Sequence, residues 1–183
     1  MKRIITGCLL LNFAMAAQAE CNISSSIQNI DYGKRSAAMR QVDRGKTTQL
    51  ADRTITLVMQ CDQDAHIRVQ LNTANISNNG FGFGPNGSLN LIASDAFSGS
   101  NNLDLALASG KNDNPGSTGT ASISTSPNNW LVFMQNGQEV VIDSGKSVSV
   151  SLTLTMAPAF KDEGELTDMT DITGNLTVLV EAK

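Results

Sequence analysis

Short segments of the chain alternate between apolar and polar residues, a pattern that predicts β-strands. In segment 54–61 one face consists of Ile55, Leu57, Met59 and Cys61, and the pattern places Cys61 in the core. Segment 66–71 alternates in the same way and puts Arg68 on the solvent-facing side. The same alternation predicts further strands over segments 88–93, 102–107, 147–156 and 174–183.

Turn signals separate these segments. Segments 130–134 and 139–142 flank Asn136-Gly137, a pair that suits the tight type I′ turn of a β-hairpin because both residue types tolerate positive φ. Stretches rich in Asn, Gly, Ser or acidic residues predict loops over 72–90, 109–117 and 161–171.

Strands and turns without a sustained helical period predict an all-β fold built as a two-sheet sandwich. The chain of 183 residues is long enough for one such domain. Only 16% of the residues are charged, which argues against a coiled coil or a charged helical bundle.

The N-terminus has the pattern of a secretory signal peptide over residues 1–19. Lys2 and Arg3 precede the apolar segment 4–16, and residues 17–19 have the small-x-small pattern of a cleavage site. Cleavage leaves a domain over residues 20–183 with 11 basic and 17 acidic side chains, a net charge of −6. The exported domain is therefore acidic, and nothing in its charge attracts nucleic acid or an anionic membrane.

Two cysteines, Cys21 and Cys61, remain after cleavage. Since an exported chain meets an oxidising environment, we expect them to form one disulfide. Metal ligation is the alternative, but a metal site needs more ligands, and His66 is the only histidine. No cofactor is expected.

Three other features of the sequence are candidate functional sites. Asp64 and His66 fit part of a nucleophilic triad, but no serine lies in a Gly-x-Ser-x-Gly elbow, so we do not expect an enzyme. Phe81 and Phe83 lie between glycines and either pack on the sandwich or form an exposed contact loop. The acidic segment 161–171 lacks the regular spacing of a calcium loop, so we expect no metal there.

Several of these motifs together resemble the fimbrial subunits of the chaperone-usher pathway. They are Cys21 at the start of the exported domain, Ile30-Asp31-Tyr32-Gly33 soon after it, Thr54–Leu57 leading into Cys61, and the final strand that starts at Gly174. The closest resemblance is to a branch of fimbrial-like proteins long carried as a domain of unknown function, and it covers essentially the whole exported domain.

The resemblance implies an immunoglobulin-like sandwich that lacks its last strand and has a disulfide joining its first two strands. Its implied partners are a periplasmic chaperone, an outer-membrane usher and a neighbouring subunit, each contacting the chain on the way to a cell-surface fimbria. A host receptor is a further candidate partner. The final strand would line the acceptor groove with Leu176, Val178, Val180 and Ala182.

Only Glu20 precedes Cys21 after the predicted cleavage, whereas polymerising subunits of this family carry a donor extension there. The resemblance therefore implies a structural or adhesive minor subunit at the fibre tip, able to receive a strand but not to give one. The alternative is an exported sandwich that binds a carbohydrate or inhibits an enzyme outside any fibre.

Overall fold

The structure is a computed structural model, and its elements are β-strands joined by turns. It describes residues 20–26, 34–35, 38, 52–74, 76–77, 80–83, 87–156, 170–171 and 176–183. The predicted signal peptide at residues 1–19 lies outside the described residues, as does most of the acidic segment 161–171. In the part of the chain that is described, no helix is long and apolar enough to cross a membrane.

The strands range from two to twelve residues in length. They are β1 Cys21–Ser25, β2 Lys34–Arg35, β3 Arg53–Cys61, β4 Ile67–Asn72, β5 Ile76–Ser77, β6 Gly80–Phe83, β7 Gly87–Ser98, β8 Asn101–Ala108, β9 Ser122–Thr125, β10 Trp130–Gln135, β11 Gln138–Glu139, β12 Ser147–Met156, β13 Thr170–Asp171 and β14 Thr177–Ala182.

The main sheet has the strand order β1-β3-β12-β7-β8-β10-β4-β14, and every strand pair in it is antiparallel. It curves until its two end strands, β1 and β14, come within 8 Å of each other between Cα atoms. The curvature encloses one apolar core, so the predicted all-β, sandwich-like fold is confirmed.

Alternation located β3, β4 and β12 well, whereas β7, predicted over 88–93, extends to Ser98. The predictions over 54–61, 66–71 and 147–156 correspond to β3, β4 and β12 within one residue at each end. The predicted turn at Asn136-Gly137 also forms, with φ of 53° and 77°, the two positive values that a type I′ turn requires.

Three local predictions were wrong. The segment 72–90, expected as a loop, contains β5, β6 and the start of β7. The strand expected over 139–142 is shorter, because β11 ends at Glu139. Arg68, expected in solvent, is buried with 2% of its surface exposed.

Phe81 and Phe83 belong to the core. Each is 3% exposed, and β6 pairs with β7 so that Phe81 lies opposite Leu89. The expectation that they pack on the sandwich is confirmed, and the exposed contact loop formed by these two side chains is wrong.

Candidate functional site

The two end strands of the sheet, β1 and β14, each have one unpaired edge and partly exposed apolar side chains on the core side. β1 pairs only with β3, and β14 pairs only with β4, so the other edge of each strand has no strand partner among the described residues. We call the space between these two edges the open groove, and its lining residues are Ile23, Leu176, Val178, Val180 and Ala182.

The disulfide positions β1. Cys21 lies directly opposite Cys61 with 4.1 Å between the Cα atoms, and the two sulfurs are bonded. The predicted pairing of Cys21 and Cys61 is therefore confirmed, and neither thiol is free to bind a metal. The bond attaches the start of β1 to the buried end of β3, since Cys61 is 3% exposed.

Ile23 shows that the core is uncovered at this edge. It lies opposite Met59, and directly opposed residues of an antiparallel pair share one face of the sheet. Met59 is fully buried, yet Ile23 is 41% exposed. A large apolar side chain therefore faces the core side of the sheet without being covered.

β14 has the same character on the opposite side of the groove. Val178, Val180 and Ala182 pack against the core but stay partly exposed. On the neighbouring strand β4, Val69 lies opposite Val180 and is fully buried. Burial thus decreases from the inner strand to the end strand, which is expected where a sheet lacks its next strand.

The hydrogen-bond register shows which backbone groups point into the groove. His66 and Lys183 exchange both of their backbone hydrogen bonds, at 3.0 Å each. Because bonded and non-bonded pairs alternate along an antiparallel ladder, the amides of Leu179 and Glu181 point to β4. The amides of Val178, Val180 and Ala182 then point to the open edge.

β1 presents its backbone in the same way. The Asp62 amide donates to the Glu20 carbonyl at 3.1 Å, which makes Glu20 and Asp62 a bonded pair. By the same alternation, the Ile23 amide points away from β3 and toward the groove. Both walls therefore offer apolar side chains and backbone hydrogen-bonding groups, the combination that an added β-strand uses.

The four groove residues predicted on the final strand lie together in the structure. Leu176, Val178, Val180 and Ala182 all pack on the main core. Sequence reasoning missed Ile23 as a lining residue, although its position two residues after Cys21 places it on the same face as that cysteine.

A second apolar cluster, also missed, lies on the outer face of the sheet. It consists of buried side chains on β8 and β10 that alternate with main-core residues such as Leu131 and Phe133. The signal in the sequence was that β10 is apolar on both faces, which is typical of a strand that is covered on both sides. The cluster residues are Ala106, Ala108, Trp130, Val132 and Met134.

Buried Arg68 lies next to this cluster and makes a dense set of hydrogen bonds. Its Nε and Nη2 each donate to a carboxylate oxygen of Glu139 at 2.7 Å. Its Nη1 donates to the carbonyls of Lys111 and Asp113 at 2.8 Å and, more weakly, to that of Gly110 at 3.4 Å. No buried side-chain polar atom of the described residues is left without a partner.

This pair also shifts the ionisation of both groups. Burial opposes the charged form of Glu139, but the hydrogen bonds and charge of Arg68 outweigh it and hold the pKa of Glu139 below its ordinary value. The hydrogen bond to Glu139 raises the pKa of Arg68 despite burial. Both side chains are therefore charged at neutral pH.

Asp64 and His66, the two residues that fit part of a nucleophilic triad, each contact a backbone group. The Asp64 carboxylate accepts a hydrogen bond from the Ser144 amide at 2.6 Å, and the His66 ring contacts the Val140 carbonyl at 3.0 Å. In the described part of the chain, no group of three or more His, Cys, Asp and Glu side chains could hold a metal ion.

Comparison with known proteins places the chain in a family without adding a site. No protein-family model matches it. The chain is 99% identical over all 183 residues to the uncharacterized protein YhcE of Escherichia coli (strain K12), and the match covers the full length of both sequences. The chain therefore belongs to the family of YhcE.

Proposed function

We propose that this protein is a subunit of a chaperone-usher fimbria that accepts a donor β-strand in the open groove. The observation that carries the proposal is the exposure of Ile23, which is 41% exposed on the core-facing side of β1. An added strand would cover Ile23 together with Val178 and Val180 and bond to the free edges of both end strands.

The groove also explains why such a chain needs a partner. Unpaired edges next to apolar surface are sites of edge-to-edge aggregation, and soluble proteins cover them. In the proposed assembly, a periplasmic chaperone covers the groove first, and a neighbouring subunit replaces the chaperone at the usher. In this proposal the chain is exported through the periplasm and displayed in a fimbria at the cell surface.

The distance between β1 and β14 limits how a donor strand can enter the open groove. Adjacent strands lie about 4.8 Å apart, so a strand between β1 and β14 needs roughly 9.6 Å. These strands approach within 8 Å at their closest Cα atoms. Entry of a donor strand therefore has to separate β1 from β14 at those points.

The predicted cleavage before Glu20 bears on the position of the subunit. It leaves one residue ahead of Cys21, whereas a donor strand of about ten residues spans roughly 33 Å. We therefore assign the subunit to the fibre tip, where it accepts a strand and gives none. Label found along a fibre shaft in immunogold images would contradict the tip position alone.

A strand-addition experiment tests acceptance directly. The probe is a synthetic ten-residue peptide with Val or Ile at alternate positions, added to the purified chain while amide exchange is followed by NMR. The Val178 and Val180 amides, which point to the open edge, should become protected. The Leu179 amide, which already bonds to β4, should change much less.

Two neighbouring substitutions provide the matched comparison. Val180→Asp places a charge in the groove and should abolish peptide binding, because a carboxylate cannot be buried there without a partner. Leu179→Asp is the control, since Leu179 is 44% exposed on the other face of β14. Unchanged exchange at Val178 and Val180 with excess peptide, in a chain that unfolds cooperatively alone, would refute the proposal.

A further inference from the structure

The connection between β8 and β9 crosses the outer face of the sheet. We call residues 109–119 of this connection the strap. The Gly116 amide donates to the Leu107 carbonyl at 3.0 Å, which holds the middle of the strap to β8. Near its end, Gly119 has φ of +105°, and a Cβ added there would be 3.1 Å from Cβ of Met134. The strap therefore lies directly against the second apolar cluster.

One row of side chains links this cluster to the groove strand. Ala106 lies opposite Val132, Val132 opposite Arg68, and Arg68 opposite Glu181 on β14. Directly opposed residues share a face, so all four lie on the outer face of the sheet. The row runs from beneath the strap to the back of the open groove.

The strap contacts both charged residues of this row, Arg68 and Glu181. Arg68 donates to the carbonyls of Lys111 and Asp113, and its own position is fixed by Glu139. One residue of the strap reaches β14 itself, because Lys111 Nζ lies 2.6 Å from a carboxylate oxygen of Glu181. The strap is thus joined to β4 through Arg68 and to β14 through the ion pair of Lys111 with Glu181.

An end strand depends on such contacts more than an inner strand does. β14 pairs with β4 alone, and the side chains that it packs on the core stay partly exposed, so contacts on its outer face add support that an inner strand obtains from a second strand. We propose that the strap and β14 form one coupled unit, in which strap closure and strand binding in the open groove stabilise each other. The part that concerns the bound strand rests on the proposed function.

The first test does not require a bound strand. Lys111→Gln removes the ion pair with Glu181 and leaves no buried charge, since the two side chains are 48% and 31% exposed. Amide exchange at Leu179 and Glu181, measured by NMR on the purified chain, should be about two- to fivefold faster than in the unmutated chain. Lys146→Gln, which removes another exposed pair, with Asp143, is the control and should leave both rates unchanged.

The second test is the reciprocal effect that coupling requires. Saturation with the alternating ten-residue peptide should slow exchange of the Gly116 amide, which bonds the strap to Leu107 on β8, and of the Asp113 amide, which bonds to Gly110 within the strap. Lys111→Gln should weaken peptide binding by about two- to fivefold, whereas Lys146→Gln should not.

The outcomes separate the two proposals. Protection at Val178 and Val180 without any change at Asp113 and Gly116 would overturn the coupling and leave the acceptor function standing. A peptide that does not bind the unmutated chain would overturn the acceptor function, and the Lys111→Gln exchange rates would still decide whether strap and strand are coupled. Equal rates at Leu179 and Glu181 in the Lys111→Gln and unmutated chains would refute the coupling.

Discussion

Replacing Arg68 with Met should be among the most destabilising single changes in the described part of the chain. Arg68 is 2% exposed, and Glu139, its partner, is 16% exposed. Met fills much of the same volume, so the loss is that of the charge and its hydrogen bonds and not of packing. Removing one partner of a fully buried ion pair costs about 3–5 kcal/mol, because the remaining charge stays buried without compensation. Since Glu139 keeps part of its surface in solvent, we expect the lower end of that range.

The loss of stability in Arg68→Met has two parts, the uncompensated charge of Glu139 and the lost hydrogen bonds to the strap. The double variant Arg68→Met with Glu139→Met removes both charges, and replacing a buried pair by apolar residues is often close to neutral. The carbonyls of Lys111 and Asp113 lose their donor in both variants, at about 1 kcal/mol each if water does not replace it. The double variant should therefore be more stable than Arg68→Met by at least about 1 kcal/mol.

Urea unfolding, followed by tryptophan fluorescence, measures these differences because Trp130 belongs to the adjacent apolar cluster. All variants are compared under the same conditions, with Lys146→Gln as the control for an exposed ion pair, which should leave the unfolding midpoint close to that of the unmutated chain. A loss below 1 kcal/mol for Arg68→Met, or a double variant less stable than Arg68→Met, would show that the pair does not anchor the strap as described.

Three further predictions concern other parts of the fold. Replacing Cys21 and Cys61 with Ala should cost about 4 kcal/mol in the chain-entropy model for a separation of 40 residues, measured by urea unfolding, and a loss under 1 kcal/mol would contradict it. Gly119→Ala should cost more than about 1 kcal/mol, because φ of +105° is strained for any side chain and its Cβ would approach Met134; an unchanged midpoint would refute this. Because the pKa of Glu139 is below its ordinary value, its contribution to stability should be complete above about pH 4.5 and be lost as the pH falls through the lowered pKa, and Glu139→Gln should remove that part of the pH dependence of unfolding.

Alternation predicted the long strands because each of them has one face on the core and the other toward solvent or a thin outer layer. β3 shows this most clearly, since Leu57 and Met59 are buried while Val58 between them is 37% exposed. Apolar residues then recur at every second position, because successive side chains of a strand point to opposite faces of the sheet. The final strand was predicted for the same reason, although β14 is shorter than the predicted segment 174–183 and covers Thr177–Ala182.

The pattern carried no information about what covers the outer face. Arg68 occupies an outward position of β4, and such a position is ordinarily solvated for a charged residue. Its burial depends on Glu139 and on the strap carbonyls of Lys111 and Asp113, which are more than 40 residues away along the chain. Contacts of that range have no local signature in a single sequence.

Phe81 and Phe83 illustrate a different difficulty. Glycine on both sides of each aromatic residue is a signal for a loop, since glycine weakens a strand. The structure places them on a short strand against β7, where Phe81 pairs with Leu89 and both aromatic side chains enter the core. Burial of two large side chains outweighs the local preference of the glycines.

The sheet order has a consequence for how the chain folds. β3 obtains its inner neighbour from β12, with Gln60 opposite Ser147, and β4 obtains its outer neighbour from β14, with Ile67 opposite Ala182. β3 and β4 can therefore complete their pairing only with β12 and β14, which lie much later in the sequence. Pairings of such high contact order fold slowly, on the millisecond-to-second scale typical of all-β domains. A portion of the chain that lacks β12 and β14 therefore lacks one of the two strands with which each of β3 and β4 pairs.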